Sequence, residues 1–279
     1  MVASLPPYDG EIVSSWKNPD GSPWGRSLRA EHGYCIEVSG LCDFRFGSLG
    51  ESLTCNLLEG RARGDADHVF SATIQPLIES LHGTCVFHAG CVQVGDGAVV
   101  FMGESGRGKS TLVTDFAMHG GRFLTDDVLV VTQDGKPTAH PHDATVRLWS
   151  DSIEGVGAQG AHIETYASYT RKRRLRAGAG FRQAKRPTPI RAAFILGDRE
   201  CEDVSIRDLG GIASHKAWIR HLFVLDLERK EAFMKLFEGT AEIAANVPTF
   251  QLEYPRDYAA LPRLRHAILS AVEDERLVH

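Results

Sequence analysis

The chain has 279 residues, 43% of them hydrophobic and 24% charged, which is enough apolar material for a sizeable core in one large or two modest domains. That composition excludes a fibrous, collagenous or disordered chain, and the absence of any apolar run near 18 residues argues against a membrane span. The net charge of −5 hides an asymmetry: the 33 residues between Glu164 and Asp198 hold nine Lys or Arg and no acid.

An acidic protein with one strongly basic stretch speaks for a local anion-binding or docking site and against general nucleic-acid binding. The amino-terminal MVASLPPYDGE has neither a basic nor an apolar signal region, so the expectation is a soluble cytoplasmic protein without a membrane partner. Six cysteines, Cys35, Cys42, Cys55, Cys85, Cys91 and Cys201, contain no C-x-x-C pair and read as reduced, packed thiols.

In chain order, the first residues read as β-rich, with Tyr34, Ile36 and Val38 alternating through Gly33–Phe46 and a short strand at Ser52–Leu58. From Asp67 to His82 the apolar positions Val69, Phe70, Ile74, Leu77, Ile78 and Leu81 follow helical spacing, with Pro76 as a kink or a late start. A domain junction is placed here, giving a β-rich domain over 1–66 and a second domain over 67–279. Cys85–Val94 and Ala98–Met102 then predict a hairpin about Gly95-Asp96-Gly97. Lys109–His119 predicts a helix closed by Gly120-Gly121, followed by short strands at Phe123-Leu124 and Val128–Val131. Ala192–Leu196 predicts a strand. The last third predicts helices over Ala213–Leu225 and Arg229–Ala245, a strand at Thr249–Glu253 and a helix over Tyr258–Val272. The fold class is α/β with α+β character.

Between the second hairpin strand and the first helix stands Gly103-Glu104-Ser105-Gly106-Arg107-Gly108-Lys109-Ser110, a G-x-x-x-x-G-K-S run in the strand–loop–helix setting that gives the pattern a mechanism. Glycines let backbone N–H groups curl around a polyphosphate at the helix N-terminus, where the helix dipole favours negative charge. Residues 103–110 with Thr111 are the expected nucleotide-binding set, Lys109 reaching the β- and γ-phosphates and Ser110 ligating Mg²⁺.

Such a loop does not choose the chemistry. Asp126-Asp127, 17 residues after Lys109, is the feature that discriminates: two carboxylates beside a triphosphate can divide metal binding and proton removal from an incoming hydroxyl. The competing reading of Thr125-Asp126-Asp127 is a turn or helix cap. His88, on the strand beside the loop strand, is the third candidate, with a satisfied core histidine as its plain alternative.

Taken together, His88-Ala89-Gly90, GESGRGKS and Thr125-Asp126-Asp127 resemble the kinase domain of the HPr kinase/phosphorylase family, Ser105 included. Fainter similarity through Thr145–Ser150 (TVRLWS), Arg191–Gly197 and Val247–Leu264 is like the stand-alone HPr-kinase-like proteins of peptide tailoring, including lasso-peptide clusters. The resemblance implies a phosphate-loop kinase core of the HPr kinase/PEP carboxykinase type, here following a β-rich amino-terminal domain that does not look like the family's own, and using ATP and Mg²⁺ to phosphorylate serine on a peptide or small protein. A lasso precursor is the favoured substrate. On it, Asp126 is the general base, Asp127 supports Mg²⁺ or the His88 contact, and His88 holds the carboxylates.

The region IEGVGAQGAHIETY lacks the second signature of bifunctional members, which leaves Glu154 and Glu164 as substitutes for a further metal carboxylate. The basic segment places Arg173, Arg174 and Arg176 as candidate substrate-binding residues in a loop that clamps an anion, the alternative being a solvated charge run. A kinase for a small-molecule alcohol and a non-catalytic nucleotide sensor are the rival functions; homo-oligomerisation is left open.

Overall fold

The computed structural model describes residues 8–18, 20–143, 145–158, 163–165, 173–176, 180–199 and 201–274, with the side chains at 163–165, 174, 176 and 274 excepted. The chain is a mixed α/β protein in two compact units, Met1–Thr84 with Phe223–Leu236, and Cys85–Leu222 with Phe237–His279.

In the first unit β1 (Glu11–Lys17), β2 (Pro23–Ala30), β3 (Gly33–Val38), β4 (Cys42–Gly47) and β5 (Thr54–Leu57) form an antiparallel meander in sequence order. Strand β4 shows why: Cys42, Phe44 and Phe46 are buried while Asp43, Arg45 and Gly47 are only partly so, the two-residue period of a sheet with one covered face.

That face is covered by α1 (Arg63–Val69) and α2 (Gln75–Leu81), whose Ala66, Val69, Leu77 and Leu81 join Tyr34, Ile36, Phe44 and Phe46 in one cluster. The continuous helix expected over Asp67–His82 is instead split by a π turn, Phe70–Ile74. Pro76 at the start of α2 has no N–H to give, and a local widening to i→i+5 bonding, Gln75 N–H to Phe70 O, carries the chain past it. Because α1 and α2 complete the sheet's core, they belong to the first unit, whereas the sequence reading put the junction at residue 66.

Residues 223–236 also return to this unit. The helix expected through Leu225 stops short, and the segment after it places a buried Asp226 carboxylate on Arg29 Nη1 at 2.8 Å and Tyr34 Oη at 2.9 Å. Burial and that carboxylate push the Tyr34 phenol up to about 12.

The second unit is built on a mixed sheet of β6 (Cys85–Phe87), β7 (Ala89–Val94), β8 (Gly97–Met102), β9 (Arg122–Thr125), β10 (Leu129–Thr132), β11 (Thr138–Ala139), β15 (Arg182–Gln183), β16 (Thr188–Leu196), β17 (Ser205–Asp208) and β18 (Thr249–Glu253). Strands β7 and β8 form the expected hairpin, with Val94 opposite Gly97 and Gly95 at φ +59°. Strand β8 runs parallel to β16, which runs parallel to β18, and β9 lies antiparallel to β7 on the other side. All six residues of β8 are buried, as a central strand covered on both faces requires.

Helix α3 (Lys109–Met118) packs Leu112, Val113 and Phe116 on this sheet, and α7 (Leu261–Asp274) adds Leu264 and Ile268. Strands β12 (Thr145–Leu148), β13 (Ile163–Thr165) and β14 (Arg173–Arg176) make a small antiparallel sheet in the order β12-β14-β13. The remaining helices are α4 (Ser150–Gly155), α5 (Gly211–Arg220) and α6 (Lys230–Asn246). No helix among the described residues is long and apolar enough to cross a membrane.

Candidate functional site

The glycine-rich run 103–108 joins the end of β8 to the start of α3. Gly108 occupies the left-handed helix N-cap position at φ +95°, and a Cβ there would stand 2.5 Å from Tyr254 Oη, so backbone and side-chain space both demand glycine. Tyr254 Oη donates to Arg107 O at 2.9 Å and Arg256 Nη1 to the same oxygen at 2.6 Å, pinning the loop's last bend. The Arg256 guanidinium lies 4.1 Å over the Tyr254 ring. Lys109 is buried; its ammonium donates to Gly103 O at 2.7 Å and Glu104 O at 3.2 Å, folding back along the loop it belongs to. At the rim Glu104 pairs with Arg220 at 2.8 Å and Arg107 with Asp198 at 3.4 Å. Ser105 and Gly106 are exposed.

The acid pair follows β9. Because Thr125 sits opposite Cys91 in the β7–β9 ladder, Asp126 emerges beside Gly90, where α3 packs so closely that no side chain fits: a Cβ there would be 2.7 Å from Val113 Cγ2 and 3.8 Å from both Asp126 Oδ1 and Lys109 Cβ. Thr125 Oγ1 donates to Val128 O at 2.6 Å and closes the turn, with Asp127 at its tip at φ +73°, a left-handed conformation that short polar residues tolerate best. The Ser110 hydroxyl donates to Asp126 Oδ1 at 2.9 Å. Arg147, on β12, donates its main-chain N–H to Asp126 Oδ2 at 3.2 Å and its Nη1 to Asp127 Oδ2 at 2.8 Å. His88 Nδ1 lies 3.1 Å from Asp127 O, and the His88 N–H donates to His221 O at 2.7 Å.

Asp126, Asp127, His88, Lys109 and Ser110 are therefore gathered at one end of α3. Burial, and then the neighbouring Asp127 carboxylate, raise the Asp126 carboxyl to about 7, against the lowering pull of Arg147 and Ser110. His221 is driven the other way, to about 4, first by burial and then by the positive charges of His88, Lys109 and Arg220.

Thr111 points along a different path. Its hydroxyl is 3.5 Å from Ser152 Oγ, which is 3.0 Å from Tyr258 Oη, which donates to Asp151 at 3.0 Å. Arg173 is exposed on β14, and the side chains of Arg174 and Arg176 lie outside the described residues. Glu154 is exposed on α4, and the Glu164 side chain is likewise outside the described residues.

Sequence reading missed Arg147, His221, Ser152, Tyr258 and Arg256. For Arg147 there was a signal: in the strand Thr145–Leu148 its neighbours Val146 and Leu148 are apolar and buried, so alternation puts a charged side chain on the opposite face. His221 meets His88 through its carbonyl, and a main-chain contact leaves no side-chain signature.

Among the described residues no three His, Cys, Asp or Glu side chains gather as a metal cage. What is present is a set of hard oxygen donors, the Ser110 hydroxyl and two carboxylates, of the kind that holds Mg²⁺ when phosphate oxygens and water complete its shell.

No known protein family matches the sequence, and no curated protein matches it. Among solved structures the chain is similar to the Hpr(Ser) kinase/phosphatase from Coxiella burnetii, with a TM-score of 0.36 and 11% identity over 68% of this chain and 98% of that one.

Proposed function

We propose that the chain is an ATP- and Mg²⁺-dependent kinase that transfers the γ-phosphoryl group to a serine hydroxyl of a peptide or small protein. The observation that carries the reading is the 2.9 Å hydrogen bond from Ser110 to the buried Asp126, which ties the acid pair to the phosphate-binding end of a G-x-x-x-x-G-K-S helix. Phosphoryl transfer needs positioning and charge neutralisation more than covalent chemistry, and this end of α3 offers both.

In this reading the backbone of 103–110 and Thr111 cradle the polyphosphate, and Lys109 exchanges its two carbonyl partners for phosphate oxygens. Ser110 and Asp127 would hold Mg²⁺, whose chemistry is to neutralise charge on the phosphoryl oxygens. Asp126 takes the proton as the serine oxygen attacks; burial, and then the neighbouring Asp127, raise its proton affinity, which suits a general base. His88 fixes the Asp127 main chain from below. The choice of peptide, and of a lasso precursor in particular, is supported by the sequence resemblance, and Arg173, Arg174 and Arg176 are proposed to meet its anionic groups.

The test is incubation of the full chain with ATP, Mg²⁺ and precursor peptides ending in serine, read by mass spectrometry for gain of one phosphate. Asp126→Asn should lose transfer by about 10²–10⁴-fold and keep nucleotide affinity. Turnover of a metabolite alcohol with no peptide product, or an Asn variant as active as the parent, refutes the proposal.

A further inference from the structure

Two adjacent carboxylates, one buried and one half-buried, repel one another, and a site containing them gains from a counter-charge of its own. Among the described residues, Arg147 meets both acids, through two separate groups. Arg147 offers its main-chain N–H to Asp126 at 3.2 Å and its guanidinium to Asp127 at 2.8 Å, so a single β12 position touches both acids. The pair is well shielded: the Arg147 side chain is 12% exposed and that of Asp127 20%. Strand alternation makes the placement rigid, since Val146 and Leu148 on either side are locked in the hydrophobic core.

A cation fixed on Asp127 has two consequences that pull in opposite directions. It orients the left-handed Asp127 turn, and with it the carboxylate that accepts from Ser110, which favours a productive geometry. It also occupies an oxygen that a divalent cation would otherwise use, which weakens metal binding.

We infer that Arg147 is a positioning residue and resident counter-ion of the acid pair, and that it competes with the divalent metal for Asp127. This rests on the kinase reading for its effect on turnover, and on the acid pair alone for its effect on metal affinity.

The experiment measures both in the full-length protein: Mn²⁺ binding in the presence of ADP by electron paramagnetic resonance, and peptide phosphorylation. Arg147→Gln removes charge and fork but keeps the main-chain N–H. It should bind Mn²⁺ on the order of tenfold tighter, as loss of a charge-assisted partner predicts, while kcat falls at least tenfold and the KM for ATP stays within about threefold. Arg147→Lys keeps the charge without the planar fork, and should hold Mn²⁺ affinity near the parent value while kcat still falls.

The inference is overturned if Arg147→Gln leaves Mn²⁺ affinity and kcat within about twofold of the parent. Should Arg147→Gln not fold, Arg147→Lys decides: unchanged kcat refutes the positioning role. If the parent protein phosphorylates no peptide and Arg147→Gln still tightens Mn²⁺, the kinase reading falls and the counter-ion role stands.

Discussion

Replacing Gly90 by alanine tests the architecture of the site directly. A Cβ at residue 90 would sit 2.7 Å from Val113 Cγ2, and the Val113 side chain is wholly buried on α3. Carbon atoms in good contact stand about 3.5–4.0 Å apart, so roughly 1 Å must open between β7 and α3. Overpacking a tight core in this way costs about 1–3 kcal/mol, and at about 2–4 °C per kcal/mol for a unit of this size the melting temperature should drop by about 2–12 °C. The functional cost is larger in proportion, because α3 carries Lys109 and Ser110 while Asp126 hangs on β9, the neighbour of β7. A displacement near 1 Å between reacting groups lowers transfer by about 10². Differential scanning calorimetry and the peptide phosphorylation assay read the two effects. Val113→Ala removes the obstructing methyl, so the double variant should be more stable than the sum of the singles by more than about 1 kcal/mol. A Gly90→Ala protein that melts within about 1 °C of the parent and phosphorylates normally, or a double variant that is merely additive, refutes the packing argument.

Two further outcomes follow from buried charge. Asp226→Ala strips the carboxylate from the Arg29 guanidinium and the Tyr34 hydroxyl, the Asp226 side chain being only 1% exposed. Breaking such a pair from one side costs about 3–5 kcal/mol, and urea denaturation followed through the first unit should show it, with an unchanged midpoint as the contrary result. His221 supplies a pH dependence. Its folded value of about 4 lies below the ordinary 6.5, so the unfolded chain takes up the proton first as pH falls. Stability is therefore level above pH 6.5 and declines between 6.5 and 4. By this one group the loss from pH 7 to pH 5 is up to about 2 kcal/mol. His221→Gln should flatten that part of the curve in urea melts at the two pH values, and an equally steep decline in the variant contradicts the assignment.

What could be read from sequence was what the chain writes locally. The Gly95 hairpin, the 103–110 loop with its helix and the Thr125–Asp127 turn each depend on neighbours within a few residues, and each signal survives in a single sequence. The helix break at Phe70–Ile74 was half visible in Pro76, which fixes where hydrogen bonding must change but not that a wide turn would absorb the change. The unit boundary was not visible, because Arg29 and Asp226 are 197 residues apart and no local pattern says that a connector between two helices will return to the first sheet.

The same distinction explains the site. Lys109, Ser110 and the two aspartates are marked by spacing along the chain. Arg147 reaches them only because β12 pairs in a separate three-stranded sheet whose register sets which face each side chain takes. A one-residue slip of that strand would turn Arg147 into the core and expose Val146 or Leu148, a change the apolar pair flanking it makes costly. The hydrophobic pattern of β12 is thus part of the chemistry of the site, since it decides that a cation, and not a methyl group, faces the acids.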